Sequence, residues 1–71
     1  MSAMRILLRQ EQTRLYFQQP NSWVADAEHA YCFEGSVEAE RLARERGFKN
    51  VEVSFEFDTP DYNFAVPLGP A

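Results

Sequence analysis

The sequence predicts a small α+β domain, in which one α-helix packs on an antiparallel β-sheet in the order ββ(β)αβ. Two segments carry this prediction. Residues 51–57 alternate apolar and polar side chains, as a half-buried strand does. Residues 36–46 have glutamates near the first turn and arginines near the last, and Gly47 follows them, as expected for a capped helix.

Length and composition favour one domain over residues 1–71. Of the 71 residues, 45% are hydrophobic and 14% aromatic, which compensates for the thin core of so short a chain. We expect an ordered core over about 4–58 and a C-terminal extension over 59–71 that can form an edge strand. No apolar run is long enough to cross a bilayer, the start lacks the apolar stretch of a secretory signal, and Cys32 is the single cysteine, so we expect a cytoplasmic protein.

Charge is distributed unevenly along the chain. Residues 1–25 sum to +2 and residues 26–71 to −6, which gives the net charge of −4. A protein that binds nucleic acid needs a basic footprint, and an anionic membrane attracts basic segments. The sequence therefore argues against direct binding to nucleic acid or to a membrane.

The first part of the chain predicts a β-hairpin. Residues 4–9 and 14–18 are two apolar-rich segments on either side of a polar tip. The competing interpretation is one long helix over 3–17, because good helix formers are frequent there.

The middle of the chain predicts a helical turn, a short strand and the helix. Asp26 can accept a hydrogen bond at the start of a turn over 26–30, and a strand over 31–33 is expected to follow. Ser36 is the predicted N-cap of the helix. Gly47 is expected to end it, because glycine adopts the left-handed conformation without strain.

The last part of the chain predicts two strands. Residues 51–57 place their glutamates and serine on a solvent-facing side, and residues 62–68 also alternate. Pro67 and Pro70 confine the final strand to a sheet edge. The predicted core consists of apolar residues from all segments: Ile6, Leu8, Leu15, Phe17, Trp23, Ala30, Phe33, Ala39, Leu42, Ala43, Val51, Val53, Phe55 and Phe57.

A series of apolar and turn residues runs through nearly the whole chain: Ile6-Leu7-Leu8, Leu15-Tyr16-Phe17, Trp23, Ala30-x-x-Phe33, Gly47-Phe48 and Val51-x-Val53. The series resembles that of a group of small, uncharacterised bacterial proteins with a hairpin, a Trp-containing loop, an Ala-x-x-Phe step, one helix and a final strand. The resemblance implies the fold and implies no activity. One departure is Arg14, where a glycine is expected after Thr13.

Two apolar residues are candidates for an interaction surface. One helix covers one face of a sheet, so the opposite face can expose Leu7 and Tyr16. The alternative is that residues 62–68 fold back and cover them.

Acidic residues form a second candidate surface. Glu52 and Glu56 share one face of their strand, and we expect them to pair across the sheet with Arg5 and Arg9. If they do not pair, they form an acidic patch for a basic partner.

These candidates lead to a functional prediction and two alternatives. We expect a non-catalytic protein-interaction module that binds itself or another protein through Leu7 and Tyr16 or through an edge strand. The first alternative is an acidic mimic that occupies a basic nucleic-acid site on another protein, through Glu52, Glu56, Asp58 and Asp61. The second is a metal or thiol site at His29 and Cys32, although zinc takes three or four converging ligands. The sequence predicts no cofactor and no enzyme.

Overall fold

The fold consists of a five-stranded antiparallel sheet and one helix, as seen in a computed structural model that describes residues 4–69. The strands and the helix have these bounds: β1 Arg5–Gln10, β2 Tyr16–Gln18, β3 Ser22–Val24, α1 Ser36–Arg46, β4 Val51–Glu56 and β5 Phe64–Pro67. The strand order across the sheet is β3-β2-β1-β4-β5, so β3 and β5 are the edges. The predicted α+β class is confirmed, and the interpretation of 3–17 as one helix is wrong.

The third strand lies earlier in the chain than predicted. Residues 31–33 form only a single bridge, from Phe33 to Ile6, whereas Trp23 in β3 pairs with Phe17 in β2. A three-residue strand is too short to show an alternating pattern. The segment 31–33 instead lies between β1 and β2, because the N–H of Tyr31 donates to the carbonyl of Phe17 and the N–H of Phe33 donates to that of Ile6.

Helix α1 has the predicted bounds but a different N-cap. Gly35 is the N-cap and Ser36 is the first helical residue, so the prediction of Ser36 as the cap is wrong. The carboxylate of Glu38 accepts a hydrogen bond from the N–H of Glu34 at 3.2 Å, just before the helix begins. Gly47 ends the helix at φ 70°, and its N–H donates to the carbonyls of the last turn.

The β1–β2 connection contains a residue in the left-handed region. Arg14 has φ 66°, its N–H donates to the carbonyl of Gln10 at 3.0 Å, and the N–H of Gln10 donates to the carbonyl of Leu15 at 2.8 Å. Glycine adopts this conformation without strain and arginine does not. Residue 14, where the resemblance leads us to expect glycine, therefore has a backbone conformation that favours glycine.

The hydrophobic core lies between the sheet and α1, with Phe17 at its centre. The ring of Phe17 packs against Trp23 at 5.7 Å and Phe48 at 5.8 Å between centroids, and it stacks with Phe33 at 6.3 Å. Most predicted core residues are buried: Ile6, Leu8, Phe17, Phe33, Ala39, Ala43, Val51 and Val53. Six are only partly buried: Leu15, Trp23, Ala30, Leu42, Phe55 and Phe57.

The C-terminal segment forms an edge strand beside β4. Val66 pairs with Val53 and Phe64 with Phe55, so the segment extends the sheet and does not fold back over its open face. Pro70, which also favours an edge position, lies outside the described residues. Within residues 4–69, no helix has the length and apolarity needed to cross a membrane.

Candidate functional site

The sheet face opposite α1 is covered by its own long side chains. Leu7 has 0% exposure, so the expectation that it is exposed is wrong. Tyr16 lies opposite Arg9, and Glu56 lies opposite Arg5. The Tyr16 hydroxyl donates to Oε2 of Glu56 at 2.8 Å, and this hydrogen bond therefore crosses β1 diagonally, over Leu7.

One of the two predicted cross-strand pairs forms. Arg9 donates to Oε2 of Glu52 at 2.6 Å, and Glu52 is 8% exposed. Arg5 does not pair with Glu56, because its Nη2 donates to the backbone carbonyl of Ala27 at 2.8 Å. The expected Arg9–Glu52 pair is confirmed, and the expected Arg5–Glu56 pair is wrong.

The remaining polar groups of this face complete a hydrogen-bonded network. The hydroxyl of Ser54, which is 2% exposed, donates to Oε2 of Glu56 at 3.0 Å. Because Ser54 and Glu52 are both buried, the prediction that this side of β4 faces the solvent is wrong. Among the described residues, no buried side-chain nitrogen or oxygen lacks a partner. The network therefore satisfies its own donors and acceptors, as a structural layer does.

Electrostatics in this network favour protonated Tyr16 and charged Arg9. Burial raises the pKa of Tyr16, and the hydrogen bond to Glu56 raises it further, against the opposing effect of Arg9. Burial alone lowers the pKa of Arg9, but the hydrogen bond to Glu52 and the charge of that carboxylate offset it, and the net shift is upward. The guanidinium carbon also lies 5.8 Å from the centroid of the Tyr16 ring.

His29 and Cys32 are not part of a metal cluster. Nδ1 of His29 lies 3.1 Å from Oδ2 of Asp26, whose other oxygen accepts the N–H of Glu28 as the predicted cap of the Ala27–His29 turn. Cys32 is exposed, and its Sγ lies 3.8 Å from the carbonyl of Phe33. In the part of the chain that the structure describes, no three His, Cys, Asp or Glu residues form a group that could hold a metal ion.

A set of apolar side chains on the helix-side face of the sheet, beside α1, is exposed or only partly buried. We call it the apolar strip, and it consists of Phe55, Phe57, Phe64 and Val66. The ring of Phe64 stacks on Phe55 at 4.7 Å and on Phe57 at 6.2 Å. Phe64 is 52% exposed and Val66 is 47% exposed.

The strip is exposed because α1 is narrower than the sheet. A helix with its side chains is about 10–12 Å across, whereas five strands spaced about 4.8 Å apart span roughly twice that width. Helix α1 packs on β1 and β4, so β5 extends beyond it. The alternation in 62–68 indicates an apolar face on this strand, whereas Leu7 and Tyr16, the residues predicted to be exposed, lie on the opposite side of the sheet.

A groove of about 300 Å³ separates the helix from this end of the sheet. Its walls include Ser36 and Glu40 of α1, and Phe55 and Val66 of the strip. Val37 is 66% exposed and, at 100° per residue, falls on the same side of α1 as Glu40. Tyr62, which is 70% exposed, precedes β5. The groove thus has additional exposed apolar residues in the segments next to it.

The free edge of β5 offers few backbone hydrogen-bond donors. The N–H of Leu68 donates to the carbonyl of Val51 at 3.1 Å, so in the same register Phe64 and Val66 direct their backbone groups toward β4. Ala65 and Pro67 then direct theirs outward, and proline has no N–H. The edge is therefore poorly suited to pairing with another strand.

Comparison with known proteins does not identify a family. No protein-family model matches the chain, and no match was found among curated proteins or solved structures. The resemblance to small bacterial proteins therefore stays a prediction.

Proposed function

We propose that the chain is a small, non-catalytic protein-interaction module, whose contact surface is the apolar strip and whose partner is a protein segment that combines apolar and basic side chains. The observation that carries the proposal is the exposure of Phe64 and Val66 beside the groove. Large exposed apolar residues that form a contiguous patch mark interaction surfaces, whereas scattered single ones do not.

Burial of the strip would contribute substantial binding free energy. A Phe or Val side chain contributes about 1.5–3 kcal/mol when it is fully buried. Phe64 and Val66 are each about half exposed, so each can contribute about 1 kcal/mol when a partner covers it. The stack of Phe64 on Phe55 fixes the ring before binding, which lowers the entropy lost on association.

Charge around the strip indicates the chemistry of the partner. Residues 57–69, which include Phe57, Phe64 and Val66 of the strip, contain two acidic residues, Asp58 and Asp61, and no Lys, Arg or His. Asp58 and Asp61 lie in the connection between β4 and β5, and neither forms an ion pair within residues 4–69. These free carboxylates favour a basic partner.

The same charges oppose self-association through the strip. A symmetric dimer through the strip would bring Asp58 and Asp61 of both copies into one interface, and residues 57–69 contain no Lys, Arg or His to compensate them. We therefore propose a different protein as the partner. Because Pro67 removes an outward donor from the β5 edge, the proposal assigns recognition to side chains and not to strand addition.

The predicted acidic mimic receives less support. Of its four predicted acids, Glu52 is paired with Arg9, and Glu56 accepts hydrogen bonds from Tyr16 and Ser54. Of these four, only Asp58 and Asp61 have neither an ion pair nor a side-chain hydrogen bond within residues 4–69. A cytoplasmic location belongs to the proposal, and the exposed lone thiol of Cys32 supports it, because reducing compartments keep such thiols free.

The test uses two fluorescein-labelled amphipathic peptides with the same leucine spacing, one with lysines and one with glutamates on the polar face. Binding is measured by fluorescence anisotropy. We expect the lysine peptide to bind and the glutamate peptide not to bind. Affinity for the lysine peptide should fall as salt is raised, because the exposed charges are screened within about 10 Å at 0.1 M ionic strength.

Variants connect the binding to the strip. Val66→Thr keeps the shape and strand preference of residue 66 but adds a hydroxyl, and it should weaken binding of the lysine peptide. Asp61→Asn should weaken binding of the lysine peptide, because it removes a negative charge that attracts the lysines. Glu45→Gln removes the same charge from an exposed residue of α1 that lies, at 100° per residue, on the side opposite Ser36 and Glu40 of the groove, and it should leave the affinity unchanged. Equal binding of the two peptides, or unchanged affinity for Val66→Thr, would overturn the proposal.

A further inference from the structure

A second concave site lies at the C-terminal end of α1; it shares Leu68 with the groove beside the apolar strip but contains no residue of the strip. It is a cleft of about 470 Å³, bounded by the helix end, the β1–β2 connection, the loop before β4 and the residues after β5. Ligand-binding clefts in proteins usually measure about 300–1,000 Å³. The cleft is therefore large enough for a small organic molecule.

The cleft has an apolar floor. Ala43, Phe48 and Leu68 line it, and Phe48 also packs on Trp23 at 5.1 Å between ring centroids. The floor is thus continuous with the aromatic core and is held in place by it. Gly47 borders the cleft, and a β-carbon there would have no heavy atom within 4 Å, so the wall at this residue is open.

The rim carries two cationic side chains and one acidic one. Arg44 donates both of its hydrogen bonds to Glu40, at 2.8 and 3.2 Å, so its charge is largely compensated. Lys49 forms no ion pair and no side-chain hydrogen bond within residues 4–69, which leaves its ammonium group available. Glu11 lines the cleft as well and opposes an anion.

We infer that this cleft binds a small amphipathic anion, with an aromatic or aliphatic body on Ala43, Phe48 and Leu68 and a carboxylate or comparable anionic group at Lys49. The apolar floor alone does not fix the orientation of the bound ligand. The ammonium group of Lys49 at the rim fixes it by binding the anionic group of the ligand. The negative end of the helix dipole opposes an anion here, and the N–H groups of Gly47 and Phe48 reduce this repulsion because they donate to the carbonyls of Ala43 and Arg44. The inference is independent of the strip and of the proposed protein partner.

The test compares three probes with the same phenylbutyl body: 4-phenylbutyrate, 4-phenylbutanol and 4-phenylbutylamine. Binding is followed by two-dimensional ¹H–¹⁵N NMR spectra of the full chain. We expect the carboxylate to bind most tightly and to shift the amide signals of Ala43, Phe48, Lys49 and Leu68. The amine should bind most weakly.

Three variants identify the groups that select the anion. Lys49→Gln should weaken 4-phenylbutyrate about threefold to tenfold, as expected for loss of one charged hydrogen bond at a surface. Glu11→Gln should tighten it, because a repelling carboxylate is removed. Arg41→Gln removes an equal charge from the exposed side of α1 and should change nothing. Equal affinity for carboxylate and amine, signal shifts confined to Phe64 and Val66, or an unaffected Lys49→Gln variant would each overturn the inference.

Discussion

The hydrogen bond from Tyr16 to Glu56 should contribute measurably to stability, because it closes the polar layer over Leu7. The donor and acceptor oxygens lie 2.8 Å apart, and a hydrogen bond to a charged group contributes about 1.5–3 kcal/mol when it is buried. Tyr16 is only half-buried, and in Tyr16→Phe the Glu56 carboxylate would keep its hydrogen bond from Ser54 at 3.0 Å. We therefore expect Tyr16→Phe to lower the free energy of unfolding by about 1 kcal/mol.

Urea unfolding followed by the fluorescence of Trp23 measures this effect, because Trp23 packs edge-on against Phe17 and loses that contact on unfolding. A loss of 1 kcal/mol corresponds to a decrease of about 4–8 °C in the melting temperature for a domain of this size. Tyr62→Phe is the matched control, because Tyr62 is 70% exposed and its hydroxyl donates no hydrogen bond within residues 4–69. If both variants lose the same small amount, the reasoning about the layer over Leu7 is wrong.

The same residue predicts how stability changes at alkaline pH. The pKa of Tyr16 is raised above its ordinary value of 10.0 in the folded chain. Below pH 10 both the folded and the unfolded chain keep the proton, so the contribution is fully present there. Above that pH the unfolded chain loses the proton first, and stability falls until the folded tyrosine also ionises. Tyr16→Phe should reduce this alkaline loss, and an unchanged pH dependence would contradict the assigned shift.

Further predictions concern the loops and the ion pair. Arg14→Gly should be more stable than Arg14→Ala by about 0.5–1 kcal/mol in urea unfolding, because both lose the 3.9 Å contact with Glu52 and only glycine relieves the left-handed backbone at φ 66°. Gly47→Ala should destabilise it by about 1 kcal/mol for the same reason at φ 70°, and a neutral result would contradict the cap geometry. Arg9→Ala should cost about 2 kcal/mol, since it leaves the buried Glu52 with only Arg14, whose Nη1 lies 3.9 Å from Oε2, and a double-mutant cycle with Glu52→Ala should show coupling that persists in salt.

The sequence predicted elements whose signals are local. Helix α1 and strand β4 have strong periodicity, and Gly47 marks the helix end, so their placement was correct within a residue. Strand β3 was missed because its three residues show no period, and its position depends on pairing Trp23 with Phe17.

The exposed surface was harder to predict, because it depends on the directions of long side chains and on the relative widths of elements. The alternation of residues assigned Leu7 correctly to the face opposite the helix. It contained no information that Tyr16 extends across β1 to Glu56 and covers that face. It also did not show that β5 extends beyond the helix and leaves Phe64 and Val66 exposed.

The most direct test of the account is a ¹H–¹⁵N NMR titration of the full chain with the lysine peptide, in which the binding surface is read residue by residue. The account predicts signal shifts at Val37, Tyr62, Phe64 and Val66 that diminish as salt is raised, with little change at Tyr16 or Glu52. Shifts concentrated at Tyr16 and Glu52, or no shifts at all, would contradict the claim that the apolar strip is the contact surface.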